Sequence, residues 1–174
     1  AGAGDTKGGE QGHGDGVYIT TAGRGARPHG RDLGGANARP GDAILVSGTM
    51  GDHGMAIMAQ RESLSFESEI VSDTAALNGL IDAALAAVPT VRTLRDPTRG
   101  GLATTLNEIA VQSGVGMELD EEAIPVTPQV AAACELLGLD PLYLANEGKL
   151  VAVCPPGDAA RLLEALRAKL APQP

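Results

Sequence analysis

Residues 91–110 read Val-Arg-Thr-Leu-Arg-Asp-Pro-Thr-Arg-Gly-Gly-Leu-Ala-Thr-Thr-Leu-Asn-Glu-Ile-Ala, and their reading decides the fold class. Val91–Leu94 has strand character, and Pro97 with the pair Gly100-Gly101 interrupts it. Leu102, Leu106, Ile109 and Ala110 then fall on one face of a helix, which Gly114 stops. A strand, a glycine-rich turn and an amphipathic helix in succession make one unit of a layered α/β or α+β domain.

The same alternation runs outward in both directions. Upstream, Ala43-Ile44-Leu45-Val46 is a short apolar run expected to form a buried strand, followed by a helix over roughly His53–Glu62. Residues 63–69 carry weak strand character. Ser72-Asp73 reads as the cap of a helix whose stripe is Leu77, Leu80, Ile81, Ala84, Leu85 and Val88, with Pro89 as its stop. Downstream, Gly116–Leu119 is expected to be another strand, and Thr127-Pro128 has the cap-then-proline order that opens a helix. Leu150–Cys154 is a second all-apolar strand, and Leu162, Leu163, Leu166 and Leu170 line a last helix. Residues 42–174 therefore form one layered domain of four or five helices and several short strands.

Residues 1–41 have a different texture. They hold thirteen of the 24 glycines and carry a net charge of +1, against −10 for the rest. Val17–Thr21 is their one strand-like run, and a domain boundary is expected near Pro40-Gly41. Aromatic residues are 2 % of the chain and its net charge is −9. Neither an aromatic stacking platform nor a basic footprint for a phosphate backbone is available, so nucleic acid is not an expected partner. No apolar run reaches the roughly 18–20 residues that cross a bilayer, so no membrane span is expected and a cytoplasmic location is. Cys134 and Cys154 match no zinc spacing and read as small buried hydrophobes.

Three segments hold more unusual residues than folding requires. Gly4-Asp5-Thr6-Lys7-Gly8-Gly9 combines a magnesium-binding carboxylate, a hydroxyl and a phosphate-neutralising amine with glycines that admit an anion, or else is a flexible loop. Arg95-Asp96-Pro97-Thr98-Arg99-Gly100-Gly101 opens a helix whose first N–H groups suit an anion, or else is a capped helix start with its arginines paired to surface acids. Ala145-Asn146-Glu147-Gly148-Lys149 puts a carboxylate at the mouth of a strand, as a general base or as part of a turn. A weaker candidate, Gly51-Asp52-His53-Gly54, reads as Asp52 capping a helix with His53 incidental.

Taken together, the stretches Gly4–Lys7, Pro40–Asp42 with Leu45–Gly54, Arg95–Ala110 and Ala145–Gly148 resemble the HypE family of hydrogenase maturation factors. That family belongs to the aminoimidazole-ribotide-synthetase-related, PurM-like superfamily. The resemblance covers nearly the whole chain. It implies an α+β fold of the PurM C-terminal type over 42–174, a mixed sheet with helices packed on it. Residues 1–41 would be the remnant of an N-terminal ATP-binding domain. It implies ATP-driven dehydration of a carbamoyl group on a C-terminal cysteine to a thiocyanate, the source of cyanide for [NiFe] hydrogenase. ATP and magnesium would be the cofactors. The carbamoyl transferase HypF, the HypC–HypD complex and a second copy would be the partners.

By motif, the resemblance makes Lys7 and Glu147 catalytic and puts Asp5 on the metal. Asp5, Thr6, Lys7, Arg95, Asp96, Thr98, Arg99, Gly100 and Gly101 would stand around the nucleotide. The chain ends in Ala171-Pro172-Gln173-Pro174, without the family's terminal cysteine, so it is expected to be inactive alone. Two alternatives are another superfamily enzyme, of the selenophosphate synthetase or thiamine-phosphate kinase type, and a non-catalytic binding or dimerisation module.

Overall fold

Among the described residues three short strands, β1 (Ala43–Val46), β2 (Thr93–Arg95) and β3 (Val151–Cys154), form a sheet in the order β1-β3-β2. The computed structural model describes residues 30–61 and 69–170. Of these, Asp32 onward belong to a single compact unit. Among the described residues five helices accompany the sheet: α1 (Asp52–Arg61), α2 (Asn78–Ala87), α3 (Gly101–Ser113), α4 (Pro128–Leu137) and α5 (Ala159–Leu170).

The register explains the continuous apolar run of β3. Val151 opposes Val46 on one side and Arg95 on the other, and Val153 opposes Ile44 and Thr93. A central strand covered on both faces has no solvent side, so both alternating sets of side chains are apolar. Ala152 and Cys154 point into a cluster with Leu80, Ala84 and Val88 of α2 and Leu162 and Leu166 of α5. Val151 and Val153 point the other way, toward Leu102, Leu106 and Ile109 of α3. Each leucine buried in these layers contributes about 1.5–3 kcal/mol. A third cluster, off the sheet, joins Met55 of α1 to Val130, Ala133 and Cys134 of α4 and to Leu144.

Local signals set the helix ends. Thr127 Oγ1 accepts the Val130 N–H at 3.3 Å and Pro128 occupies the first turn of α4. Gly114 and Gly138 close α3 and α4 in the left-handed conformation, with φ of +66° at both.

Five expectations need correction or fall outside the described residues. Both strand pairs are antiparallel, so the sheet among the described residues is not mixed; β3 runs against both neighbours. Residues 115–120 are not a strand, although Val115 and Met117 pack on the core. They and β1 line the same cavity of about 990 Å³. Helix α2 begins at Asn78 with no side-chain cap, so Ser72 and Asp73 cap nothing; their polar groups are used elsewhere, as described below. Val17–Thr21 and residues 62–68 lie outside the described residues.

Candidate functional site

Asn146 is fully buried and ties together three loops that are far apart in sequence. Its Oδ1 accepts the Gly51 N–H at 2.8 Å. Its Nδ2 donates to the Pro97 and Leu144 carbonyls, each at 3.1 Å, and its backbone N–H also donates to Pro97 O. An amide side chain offers donors and an acceptor together, and here each kind is used. The Gly51–Gly54 turn, the Arg95–Gly101 loop and the Ala145–Lys149 turn therefore meet at one point. Gly54 brings α1 closer still: its N–H donates to Ala145 O at 2.9 Å, and a Cβ there would stand 2.9 Å from Ala145 N.

Glu147 follows directly. Its N–H donates to Asp73 Oδ1 at 2.9 Å, and its side chain is 44 % exposed, so the backbone is fixed while the carboxylate faces solvent. Gly148 is required by the same contact, because a Cβ there would lie 1.8 Å from Asp73 O. The Glu147 carboxylate stands 3.9 Å from His53 Nε2, and His53 Nδ1 is 2.8 Å from Ser72 Oγ.

Lys149 completes the cluster. Its ammonium lies 3.8 Å from Asp52 Oδ2 and 3.6 Å from Asp73 Oδ2. Asp73 Oδ2 is buried without a hydrogen bond, so Lys149 balances its charge from just beyond bonding distance. Thr49 and Thr127 donate their hydroxyls to Asp52, the latter at 3.4 Å. Gly48 leaves room for the lysine stem, since a Cβ there would stand 3.3 Å from its Cδ and Cε. Among the described residues three carboxylates share this cluster with one ammonium. An exposed carboxylate in such a group suits proton removal.

The Arg95–Gly101 loop enters the cluster through its backbone. Arg95 donates to Glu108 and Asp96 at 3.0 Å each, and the Glu108 hydrogen bond, ahead of the Asp96 charge, raises the guanidinium above its usual range. Thr98 Oγ1 donates to Asp96 Oδ2. Gly100 and Gly101 have φ of +67° and +63°. At Gly101 a Cβ would stand 2.4 Å from Leu142 O and 2.5 Å from Leu144 O, so the glycine admits a close approach of the chain's own backbone.

Of the expected site residues, the structure brings Glu147 and the Arg95–Gly101 backbone to one place, while Asp5, Thr6 and Lys7 lie outside the described residues. Local sequence does not single out Asp73 or Ser72 as site residues; it includes Lys149 in a candidate segment without giving it a role, reads Asp52 as a helix cap and makes His53 look incidental. Lys149 stands directly after the Asn146-Glu147-Gly148 turn, which is a usable signal; Asp73 resembles a helix cap, which hides it. Among the described residues no three of His, Cys, Asp or Glu gather in a way that could hold a metal ion. The cavity along β1 has mostly apolar walls and includes none of His53, Asp73, Asn146, Glu147 or Lys149. Cys134 and Cys154 are free and buried, and burial pushes both thiols up, aided by Asp140 and Asp158 respectively.

A layered α+β unit with this gathered cluster defines a class. Residues 39–172 match the family described as AIR synthase related protein, C-terminal domain, and the chain belongs to it. Within that class it is similar to the carbamoyl dehydratase HypE of Cupriavidus necator, with 70 % identity over 164 residues, 94 % of this chain and 47 % of that protein. Two solved structures are similar in fold and sequence. One is the hydrogenase maturation protein HypE in complex with ATP (TM-score 0.75, 53 % identity, covering 77 % of this chain and 40 % of that one). The other is the HypE–HypF complex (TM-score 0.76, 50 % identity, covering 77 % and 44 %). The chain spans about half the length of the curated relatives it matches. Among the described residues no helix is long and apolar enough to cross a membrane.

Proposed function

We propose that this chain supplies the C-terminal domain of an ATP-dependent carbamoyl dehydratase, in which Glu147 is the general base. The observation that carries the reading is the Glu147 turn: its backbone is held by Asp73 while its carboxylate stands 44 % exposed beside His53. A base needs a fixed pivot and an accessible oxygen, and this turn has both. The 70 % identity to a protein named carbamoyl dehydratase supports the choice of reaction.

Dehydrating a carbamoyl thioester removes both protons from its nitrogen and the oxygen from its carbon, leaving a nitrile. Bound ATP supplies the phosphoryl group that makes that oxygen able to leave. Glu147 takes a proton from the nitrogen, and the Asn146 contacts keep the turn from moving as it does so. Lys7 is proposed to contact the reacting oxygen or the phosphates, with Asp5 at magnesium and Thr6 beside it. Arg95, Asp96, Thr98, Arg99, Gly100 and Gly101 are proposed to border the nucleotide.

On this reading residues 1–41 close an N-terminal ATP domain and 42–174 form its companion. The thiol that carries the carbamoyl group is then contributed by a residue other than Cys134 and Cys154, which are both buried. HypF is the proposed carbamoyl donor, in line with the HypE–HypF complex. HypC–HypD is the proposed acceptor, and the complete protein works as a homodimer in the cytoplasm.

The test is a chimera in which this chain replaces the matching 164 residues of the Cupriavidus necator relative. The unaltered chimera is expected to convert thiocarbamate to thiocyanate with ATP, read as loss of one water by intact-mass spectrometry. Glu147→Gln should abolish that loss while the protein still folds and binds ATP. Undiminished conversion in the variant removes Glu147 from the chemistry.

A further inference from the structure

Glu147 must give up the proton it takes before it can act again, and among the described residues His53 faces it and can receive it. His53 Nε2 lies 3.9 Å from Glu147 Oε1, and the Glu147 side chain is exposed enough for a rotation about its own bonds to close that gap to hydrogen-bond distance. On the far side of the ring, His53 Nδ1 is 2.8 Å from Ser72 Oγ. Ser72 Oγ in turn lies 2.8 Å from Thr74 Oγ1 and accepts the Thr74 N–H at 3.3 Å. Thr74 is exposed. A row of polar side chains therefore runs from Glu147 to the surface.

We propose that His53 receives the proton that Glu147 removes from substrate, with Ser72 and Thr74 holding the imidazole in the receptive tautomer. The proposal rests on Glu147 being the base. In it the Ser72 hydroxyl donates to Thr74 Oγ1, which leaves Ser72 Oγ a lone pair for the His53 Nδ1–H. Nε2 is then bare and faces the carboxylate. The Glu147 O–H bond breaks, the Nε2–H bond forms, and the carboxylate is restored. The imidazolium keeps its Nδ1–H on Ser72 and releases the Nε2 proton to water through its exposed edge, since 21 % of the side chain is accessible. The other charged groups of the cluster are engaged with one another: Lys149 lies between Asp52 and Asp73. His53 has no part in the removal of the substrate proton itself, and its position is set by the close approach of Gly54 to Ala145.

The experiment uses the same chimera and three substitutions. His53→Gln retains a donor toward Glu147 but cannot take up a proton, and is expected to lower kcat on the order of a hundredfold with KM for ATP unchanged. His53→Ala should be equally slow, and added imidazoles should restore its rate in proportion to their basicity. Ser72→Ala should be slowed less than either. Full activity in His53→Gln, or in both His53 variants, while Glu147→Gln is dead overturns the proton transfer and leaves the base reading standing. A slow His53→Ala that no imidazole restores makes His53 structural and also overturns it. An active Glu147→Gln overturns both readings at once. An unaffected Ser72→Ala, with His53→Ala slow and restored, overturns the part assigned to Ser72 and Thr74.

Discussion

The Glu147 N–H and Asp73 Oδ1 are 2.9 Å apart although the two residues are separated by 74 positions in the chain. This single bond decides where the exposed carboxylate pivots, and Gly148 permits it by leaving the Asp73 carbonyl unobstructed. Asp73→Asn keeps an oxygen acceptor and loses the charge beside Lys149; Asp73→Ala loses both. In the chimera the asparagine variant should dehydrate thiocarbamate about tenfold more slowly, and the alanine variant about a hundredfold, because small misplacements of a reacting group have effects of that size. Equal rates for the two variants would show that the acceptor oxygen does not matter.

Asn146→Ala should destabilise the fold by about 3 kcal/mol. It leaves the Gly51 N–H and the Leu144 carbonyl without their buried partner, and each such group costs about 1–3 kcal/mol. Urea unfolding followed by circular dichroism measures the loss. A change below about 0.5 kcal/mol, the range of surface substitutions, would contradict the hub.

Gly101→Ala and Gly114→Ala form a matched pair. Both glycines are left-handed, with φ of +63° and +66°. At Gly114 nothing lies within 4 Å of an added Cβ, so alanine there should cost only about 1–2 kcal/mol of backbone strain. At Gly101 the same strain is joined by a collision with two backbone carbonyls, and the loss should exceed that at Gly114 by at least about 2 kcal/mol. Thermal unfolding of the two variants side by side reads the difference.

The Cys154 thiol gives a pH dependence. Burial raises it above the ordinary value of 9.0. Above that pH the unfolded chain loses a thiol proton that the folded chain keeps, so fewer protons are bound when unfolded and stability falls as pH rises. The contribution is intact below pH 9.0 and is lost progressively toward the folded-state value. Cys154→Val should flatten the decline in stability between pH 9 and 10 measured by urea unfolding. An unchanged slope would assign the decline to other groups.

The layers are legible in the sequence because their signals are local and periodic. The apolar run 151–154 and the leucine stripe of α5 each report a buried face, and Thr127-Pro128 and Gly138 report helix ends. Residues 115–120 mislead because Val115 and Met117 show apolar alternation and pack on the core although no strand ladder forms there. The site is legible only in part. Glu147 shows itself as a carboxylate in a glycine-rich turn. Asp73 cannot, since an Asp after a Ser before a leucine stripe has the same local look whether it caps a helix or receives an N–H from 74 residues away. His53 looks incidental because its partners, Ser72 and Glu147, are brought to it only by the tertiary fold.

The buried amide of Asn146 also bears on how this domain can be re-engineered. It binds the 51–54 turn, the 95–101 loop and its own turn through one side chain, so none of the three is a portable module. Grafting any one of them onto another scaffold strands a donor or an acceptor in the interior. A transplant that preserves the geometry must carry all three loops together, with the asparagine that joins them.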